Sequence, residues 1–390
     1  NMSTADTQMA HLGETSGAPA VLNGNLLQLS GDPAEQLRWM TEDIDAAQQS
    51  VDALFYIFEQ DATGTAVANA LGRAARRGVT VRLLLDDIGS RAFLRSRMRK
   101  ELAQQGVHVI AALPASILRM PFKRVDIRNH RKLIVVDGKI AQTGSRNVAD
   151  PDFKDDASGR VGAYIDSWIR IRGPVARDLH ILFLEDWGLD AGLHGSRQLP
   201  DEPPVNAGGV PVQAIPSGPN FENNMVAELI QAAIQLSRRE IVFTTPYFLP
   251  DSATLAALEV AARRGLRVTL IVPRANDSKL VGLASRANYG RLLAAGVELW
   301  EHRHGFLHSK TISVDDELAI VTTANLDRRS YEINFETSII VYDNVFATQL
   351  RRLQQSYIAS SDRLDVNAWN KRGVLPRFAE NLANLMSPLL

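Results

Sequence analysis

The chain of 390 residues carries the same spaced motif twice: a histidine, a lysine two positions later and an aspartate seven positions later. The two copies are His130-Lys132-Asp137 and His308-Lys310-Asp315. An asparagine stands 17 positions after each histidine, Asn147 in the first copy and Asn325 in the second. Because the chain has only 8 histidines, the duplication favours one site assembled from two half-sites. Paired histidines, lysines and amides suit a bound phosphate.

The length of 390 residues suggests two domains of ordinary size. The composition is typical of a globular protein, since 45% of the residues are hydrophobic and 22% are charged. The net charge of −1 argues against a nucleic-acid binder, which is usually strongly basic. The absence of cysteine excludes disulfides and thiolate metal sites. No apolar run approaches the roughly 18–20 residues that span a bilayer, so we expect no transmembrane helix.

The predicted secondary structure also repeats. Residues 51–85 and 240–272 each predict a strand, a helix that ends at a glycine, and a buried apolar strand. Such a unit forms a parallel strand pair with a right-handed crossover. A further helix and strand precede the motif in each half. We therefore predict an α/β fold of two pseudo-symmetric α/β/α sandwich halves, packed face to face.

The domain boundaries follow from composition. Residues 1–20 are rich in small and polar residues, and we predict a flexible N-terminus there. The first half is expected over residues 21–190, with the first motif. A segment rich in Gly, Pro and polar residues predicts a linker over residues 191–212. The second half is expected over residues 213–390, with the second motif.

Two histidines beside two lysines predict covalent cleavage of a phosphodiester. One imidazole would attack phosphorus to form a phosphohistidine, and the other would protonate the departing alcohol. Strand alternation places His130 and Lys132 on one face. Both lysines, with Asn147 and Asn325, would bind the non-bridging oxygens. The sequence shows no carboxylates at metal-ligand spacing, so we predict neither a metal nor another cofactor.

Each catalytic histidine needs an acceptor on its second ring nitrogen. We assign Asp166, 36 residues after His130, and Glu336, 28 residues after His308, as these acceptors. Asp137 and Asp315 belong to the motifs and are included among the candidate catalytic residues. Their position at a strand-to-turn junction predicts that they mainly hold the turn.

The two motifs resemble the paired HKD motifs of the phospholipase D superfamily. Further stretches resemble bacterial cardiolipin synthases, and the resemblance covers roughly residues 25–390. These stretches include Gly144-Ser145-Arg146-Asn147, Ile171-Arg172-Gly173-Pro174, Pro216-Ser217-Gly218-Pro219, Asn334-Phe335-Glu336 and the terminal Ser387-Pro388-Leu389-Leu390. The chain departs from the family pattern at Thr322-Thr323, where the family has Gly-Ser. It departs again at Asp166-Ser167-Trp168, where the family has Asp-x-His.

The resemblance implies two phospholipase-D-like halves and the transfer of a phosphatidyl group between two phosphatidylglycerol molecules, with release of glycerol. It implies that His130 is the nucleophile, that His308 is the acid and base, and that Ser145 and Thr323 help to bind the phosphate. The residues alone leave the acceptor open. Water would make the protein a phospholipase D that yields phosphatidic acid. A nucleic-acid phosphodiesterase and an inactive scaffold are further alternatives.

A lipid substrate implies contact with a membrane surface, and we expect a peripheral protein of the bacterial inner membrane. Residues 117–124 interleave apolar and basic residues, and residues 280–289, which contain Arg286 and are flanked by Lys279 and Arg291, are their counterpart in the second half. Such a pattern suits anionic lipid but is also typical of a half-buried surface helix. The expected partner is therefore the anionic phospholipid and its membrane, and not nucleic acid. Nothing in the sequence fixes an oligomeric state.

Overall fold

The secondary structure alternates strands and helices throughout a computed structural model that describes residues 2–114, 126–154, 161–191, 206–220 and 224–385. The first half contains α1 (Thr4–Thr15), β1 (Leu22–Ser30), α2 (Pro33–Ala46), β2 (Ser50–Phe55), α3 (Ala62–Arg76), β3 (Thr80–Asp86), α4 (Arg91–Leu94), α5 (Arg97–Gln104), β4 (His108–Ala112), β5 (Leu133–Val136), β6 (Ile140–Gly144), β7 (Tyr164–Ile165), β8 (Trp168–Arg172) and α6 (Val175–Ala191). The second half contains β9 (Val210–Ser217), α7 (Met225–Leu236), β10 (Glu240–Thr244), β11 (Phe248–Leu249), α8 (Ser252–Arg263), β12 (Arg267–Pro273), α9 (Lys279–Arg286), α10 (Tyr289–Ala295), β13 (Glu298–His302), β14 (Phe306–Leu307), β15 (Thr311–Val314), β16 (Leu318–Thr322), β17 (Leu326–Asp327), α11 (Arg328–Glu332), β18 (Glu336–Val341), α12 (Asn344–Ala359), β19 (Ser361–Arg363), α13 (Val366–Asn370) and α14 (Val374–Leu385).

The two predicted β-α-β units are confirmed, and with them the duplicated α/β fold. Strand β2 pairs in parallel with β3 across α3, and β10 pairs in parallel with β12 across α8. Each of the two helices begins at an aspartate that accepts a backbone N–H three residues later, Asp61 in α3 and Asp251 in α8. Just beyond each helix, Gly78 and Gly265 take φ values of 90° and 96°, which only glycine adopts without strain.

The sheets of the two halves meet edge to edge, and the prediction that they pack face to face is wrong. Within the described residues, fifteen strands form one sheet in the order β19-β13-β12-β10-β15-β16-β18-β9-β1-β8-β6-β5-β2-β3-β4. The junction is the antiparallel pair of β1 and β9, with Leu22 opposite Val212 and Asn25 opposite Val210. Strand β1 precedes the first repeat and β9 precedes the second, so neither belongs to the repeated pattern on which the prediction was based.

A shared apolar core continues across this junction. It contains buried side chains from both sheets, including Val135 and Ile171 of the first half and Val321 and Ile339 of the second. Helices α6 and α12 supply further members of the same cluster. Burying one large aliphatic side chain contributes roughly 1.5–3 kcal/mol, so this cluster holds the halves in one fixed arrangement.

Two predicted boundaries need correction. The prediction of a flexible N-terminus over residues 1–20 is wrong for Thr4–Thr15, which forms α1. Ser3 and Asp6 cap this helix reciprocally, and Met9 is buried in the core of the second half. Within the predicted linker, Ala191 ends α6 and the residues from Val210 belong to β9, while residues 192–205 lie outside the described ranges. None of the described helices has the length and apolar character needed to cross a bilayer.

Candidate active site

The histidines and lysines of both motifs lie at the same end of the sheet, where β2 and β10 finish. Strand β5 runs antiparallel to β2, so His130 and Lys132, just before β5, lie near the carboxyl end of β2. Strand β15 runs antiparallel to β10 in the same way and places His308 and Lys310 at the corresponding end. Ligand sites in α/β sheets commonly form at the carboxyl ends of parallel strands.

At this end of the sheet, two short backbone pairings join a residue of one half to a residue of the other. In one, Leu307 pairs with Ile165, and the N–H of His308 donates to the Ile165 carbonyl at 2.9 Å. In the other, Asn129 bridges to Phe335, and the N–H of His130 donates to the Phe335 carbonyl at 2.9 Å. Each histidine is therefore attached by its backbone next to a carboxylate residue of the other half.

The histidine side chains also pair across the halves, each with a carboxylate of the other half. Nδ1 of His130 lies 3.0 Å from both carboxylate oxygens of Glu336, and Nδ1 of His308 lies 2.7 Å from Oδ1 of Asp166. A carboxylate on Nδ1 holds the imidazole in the tautomer whose Nε2 carries a lone pair. The structure thus brings the two predicted acceptors to the two histidines, each from the opposite half.

Burial and mutual charge set the protonation of the site. Burial lowers the pKa of His130 to about 4, and the positive charge of Lys132 contributes to this lowering. Burial and Lys310 lower the pKa of His308 to about 4. Burial alone would raise the pKa of Asp166, but the neighbouring His308 and Lys310 lower it to about 2. Both imidazoles are therefore neutral at pH 7 in the empty site, and Asp166 is ionised.

The two lysines are fully buried and differ in their contacts. Nζ of Lys132 donates to the His130 carbonyl at 2.7 Å and lies 5.5 Å from the centre of the Tyr56 ring. Nζ of Lys310 donates to the His308 carbonyl at 2.9 Å and also lies 3.0 Å from Nε2 of His308. Burial, followed by the repulsion between the two lysines, lowers the pKa of Lys132 to about 7. Burial lowers the pKa of Lys310 to about 8.

Ser145 and Thr323 were expected to bind the phosphate, and the structure assigns their hydroxyls elsewhere. The Ser145 hydroxyl donates to Asp166 Oδ1 at 2.6 Å, and the Thr323 hydroxyl donates to Glu336 Oε2 at 2.5 Å. Both side chains are completely buried. These hydroxyls fix the carboxylates because each donates its proton to an oxygen atom that also serves a histidine.

The two asparagines both reach the cavity but differ in their partners. Oδ1 of Asn147 accepts the backbone N–H of Ile57 at 3.2 Å, so its amide orientation is fixed. Oδ1 of Asn325 is buried and has no hydrogen-bond partner within the described residues. Both asparagines line the same cavity as the histidines, which agrees with their expected contact with a ligand.

The aspartates of the two motifs lie at the other ends of their strands, away from the histidines. The Asp137 carboxylate accepts the backbone N–H groups of residues 48, 49 and 50, and the Asp315 carboxylate accepts those of residues 238, 239 and 240. Both aspartates adopt a positive φ, 54° and 53°. Neither lines the cavity. This geometry agrees with the turn-holding role expected for them and gives them no direct contact with a substrate.

Both histidines line a cavity of about 540 Å³ between the halves, a volume in the range of small-molecule sites. Several residues that line it were not predicted as site residues from the sequence: Tyr56, Arg128, Phe153, Lys154, Tyr164, Tyr247, Asp277, Arg329 and Asn334. Tyr56 and Tyr247 follow the repeated strands β2 and β10, and this shared position could have revealed them. Among the described residues, no three His, Asp or Glu side chains are grouped closely enough to hold a metal ion.

The rim of the cavity joins the halves through one carboxylate. Asp277 accepts the hydroxyl of Tyr247 at 2.7 Å and the hydroxyl of Tyr164 at 3.0 Å, and it pairs with Lys154 at 3.2 Å. The ring of Tyr164 in turn lies 5.1 Å from that of His308, and the ring of Tyr56 lies 5.1 Å from that of His130. Each histidine thus has an aromatic wall beside it.

Comparison with known proteins agrees with this geometry. The family described as "Cardiolipin synthase, PLD-like domain" matches residues 40–162 and 230–357, which carry the two motifs. Cardiolipin synthase A of Yersinia pseudotuberculosis serotype O:1b (strain IP 31758) and that of Yersinia pestis are each 41% identical over 376 residues. The match covers 95% of this chain and 76% of each relative.

Solved structures share the fold at low identity. Phosphatidylserine synthase of Haemophilus influenzae Rd KW20 superposes with a TM-score of 0.74 at 16% identity, over 98% of both chains. Polyphosphate kinase of Porphyromonas gingivalis gives a TM-score of 0.52 at 14% identity, over 85% of this chain and 50% of the other. With the family match and the relatives at 41% identity, the chain belongs to the cardiolipin synthase family that has a phospholipase-D-like domain.

Proposed function

We propose that this protein is a cardiolipin synthase that transfers a phosphatidyl group between two phosphatidylglycerol molecules through a phosphohistidine. One observation carries the proposal: two imidazoles line one cavity, and each has a carboxylate of the opposite half on Nδ1. A nucleophile and an acid of this kind are what a two-step displacement at phosphorus requires. The relatives at 41% identity support cardiolipin as the product.

The contacts of the lysines support a division of roles between the histidines. Nε2 of His308 already meets the ammonium of Lys310 at 3.0 Å, so its lone pair is engaged and a proton donor is beside it. Nε2 of His130 has no such contact among the described residues, and its lone pair is available. We therefore assign His130 as the nucleophile and His308 as the acid and base.

The proposed reaction balances in two displacements. In the first, Nε2 of His130 attacks phosphorus, the bond to the glycerol oxygen breaks, and His308 gives its proton to that oxygen, so glycerol leaves. In the second, the free glycerol hydroxyl of another phosphatidylglycerol gives its proton to His308 and attacks the same phosphorus. The N–P bond breaks, cardiolipin forms, and both histidines return to their starting states.

The positive charge of the two lysines favours binding of an anion, and the bound anion would in turn favour protonation of His308. His308 must carry a proton for the first step, yet burial and the lysines lower its pKa to about 4 in the empty site. A phosphodiester between Lys132 and Lys310 would offset their charge and raise the pKa of His308 in the complex. The lysines would then donate to the non-bridging oxygens and stabilise the charge that develops there.

The substrate also suggests where the protein works. Phosphatidylglycerol is an anionic lipid of the bilayer, and a cavity of about 540 Å³ has room for a headgroup rather than for acyl chains. We propose that the protein acts as a peripheral enzyme at the bacterial inner membrane, with the acyl chains left in the lipid.

Product analysis tests the proposal. The purified protein would be incubated with phosphatidylglycerol vesicles and a chelator, and the lipids would be resolved by mass spectrometry beside the variants His130→Ala and His308→Ala. Cardiolipin and glycerol in equal amounts, lost in both variants, is the expected result. Phosphatidic acid without cardiolipin would make the protein a hydrolase and overturn the transfer. The absence of any lipid product would overturn the assignment of the substrate.

A further inference from the structure

The C-terminal helix α14 (Val374–Leu385) exposes a row of large apolar side chains. The row consists of Val374, Leu375, Phe378, Leu382 and Leu385, whose exposed fractions lie between 54% and 82%. Twelve large apolar side chains are exposed in the described residues, and this one helix holds five of them. Positions 374, 378, 382 and 385 recur every three or four residues, so they share one face of the helix.

The opposite face of α14 is firmly packed. Ala383 is buried in a small cluster with Leu249 and Ala284, and Leu280 and Val281 of α9 pack against the same cluster. Glu380, also buried, pairs with Arg372 at 2.6 Å. These contacts fix the rotation of the helix and direct the apolar row outward.

The same cluster connects α14 to the active-site cavity. Leu249 and Val281, which pack with Ala383 of α14, also line the cavity that contains the two histidines. These side chains form the only layer between α14 and the cavity at this point of the described structure.

Positive charge accompanies the apolar row. Lys371, which precedes α14, and Arg377, in its first turn, are exposed, and Lys279 is exposed at the start of α9. An amphipathic helix with Leu and Phe on one face and basic residues beside it is typical of helices that lie in the interface of an anionic bilayer. Within the second-half segment expected to meet lipid, residues 280–289, Arg286 pairs with Glu301, and the flanking Arg291 pairs with Glu259. The other segment expected to meet lipid, residues 117–124, lies outside the described ranges.

We propose that α14 is the membrane-docking element of this protein, with its apolar row inserted into an anionic bilayer and the active-site cavity held at the lipid surface. The choice of a lipid bilayer as the occupant rests on the proposed function, on the basic residues beside the row and on the contact of α14 with the cavity wall. Docking through α14 would let a phosphatidylglycerol headgroup enter the cavity while its acyl chains stay in the membrane.

Vesicle flotation tests the docking. The probe is a vesicle of phosphatidylglycerol and phosphatidylcholine in equal parts, with pure phosphatidylcholine vesicles for comparison. The variant Leu375→Gln/Phe378→Gln/Leu382→Gln is expected to bind the mixed vesicles about tenfold or more weakly than the unchanged protein, because three apolar side chains no longer leave water. The matched control is Val260→Gln/Val345→Gln, which changes exposed apolar residues of α8 and α12 and is expected to bind like the unchanged protein.

A second measurement separates docking from chemistry. Turnover of vesicle-bound phosphatidylglycerol would be divided by turnover of a short-chain, monomeric phosphatidylglycerol, and this ratio should fall about tenfold in the α14 variant. Equal flotation of the variant and the unchanged protein would overturn the docking proposal. So would a dimer of the unchanged protein that becomes a monomer in the variant without a change in flotation, since the row would then join two copies of the chain. Normal docking without any cardiolipin would instead overturn the proposed function and leave the docking intact.

Discussion

The two halves of this protein share one plan but differ in the contact between lysine and histidine. In both, a buried lysine two residues after the histidine donates to the histidine carbonyl, and a hydroxyl fixes the carboxylate that serves the other half. Only Lys310 also approaches Nε2 of its histidine, at 3.0 Å. A duplicated frame therefore positions equivalent groups, and in the proposed mechanism this single contact gives the two histidines different roles.

The first and largest expected effect breaks the symmetry of the histidines. With glycerol as leaving group, His130→Ala should lower kcat by about 10⁴-fold or more because the covalent route is lost, and His308→Ala by about 10²–10⁴-fold because the acid is lost. A phosphatidyl ester of p-nitrophenol needs no proton on its leaving group. It should therefore be cleaved by His308→Ala far better than by His130→Ala.

Mass spectrometry of the alkaline-quenched enzyme locates the intermediate in the same experiment. The phosphatidyl group is expected on His130 in the unchanged protein and in His308→Ala. A modified His308 in His130→Ala, at a rate comparable with that of the unchanged protein, would reverse the proposed roles.

The second prediction tests the exchange of carboxylates between the halves. Glu336→Gln should act through His130 and Asp166→Asn through His308, each lowering kcat about 10²–10⁴-fold because the histidine loses the acceptor that fixes its tautomer. With the p-nitrophenyl ester, Asp166→Asn should recover most of its first-step rate and Glu336→Gln should not. The opposite pattern would mean that each carboxylate serves the histidine of its own half.

The third prediction compares the two lysines through pH. In the proposed mechanism Lys132 binds phosphate only when it is protonated, and burial and Lys310 lower its pKa to about 7. As pH rises through that value the lysine loses its proton, so kcat/KM should fall, by about tenfold per pH unit at most. Arginine stays charged, and Lys132→Arg should move the fall toward the pKa of Lys310, about 8. Comparing each variant with itself across pH removes any loss caused by the larger side chain. If kcat/KM of Lys132→Arg falls at the same pH as that of the unchanged protein, the fall is caused by a group other than Lys132.

The sequence predicted the repeat but not the exchange between its copies. Local pattern sufficed for the β-α-β units, because apolar strands, the capping aspartates and Gly78 and Gly265 each act within a few residues. The pairing of His130 with Glu336 depends on a backbone bridge between Asn129 and Phe335, which are 206 residues apart. Such tertiary contacts leave no local pattern. For the same reason the sequence alone did not predict that the hydroxyls of Ser145 and Thr323 contact the carboxylates of Asp166 and Glu336.

Other misses had a readable local cause. The capping box of Ser3 and Asp6 predicts the start of a helix, so α1 could have been found despite the small residues around it. Helix α14 was not among the predicted membrane contacts, both of which precede a motif in the sequence. The row at residues 374, 378, 382 and 385 needs only helical periodicity to be recognised.

The fourth prediction separates stability from catalysis at the motif aspartates. Each accepts three backbone N–H groups, so Asp137→Asn and Asp315→Asn should each lower the free energy of unfolding by about 2–3 kcal/mol while kcat falls less than about threefold. Asparagine is the appropriate replacement because it tolerates the positive φ of both positions. Urea unfolding provides the measurement. A large loss of kcat with unchanged unfolding would show that these aspartates act in the reaction.

The smallest expected effect concerns Gly144, a position that is a glycine in one half and a threonine in the other. Gly144 has a φ of 153°, and a Cβ there would meet the Ser167 carbonyl and the ring of Trp168, its partner across the strands. The equivalent Thr322 lies opposite Ser338, a small residue that leaves room for the threonine side chain and hydrogen-bonds its hydroxyl at 2.7 Å. Gly144→Ala should therefore lower the free energy of unfolding by about 1–2 kcal/mol, and Thr322→Gly by less than about 1 kcal/mol. Urea unfolding of the two variants measures these free energies. Equal decreases would mean that the residue opposite, Trp168 or Ser338, does not determine which side chain is tolerated at the position.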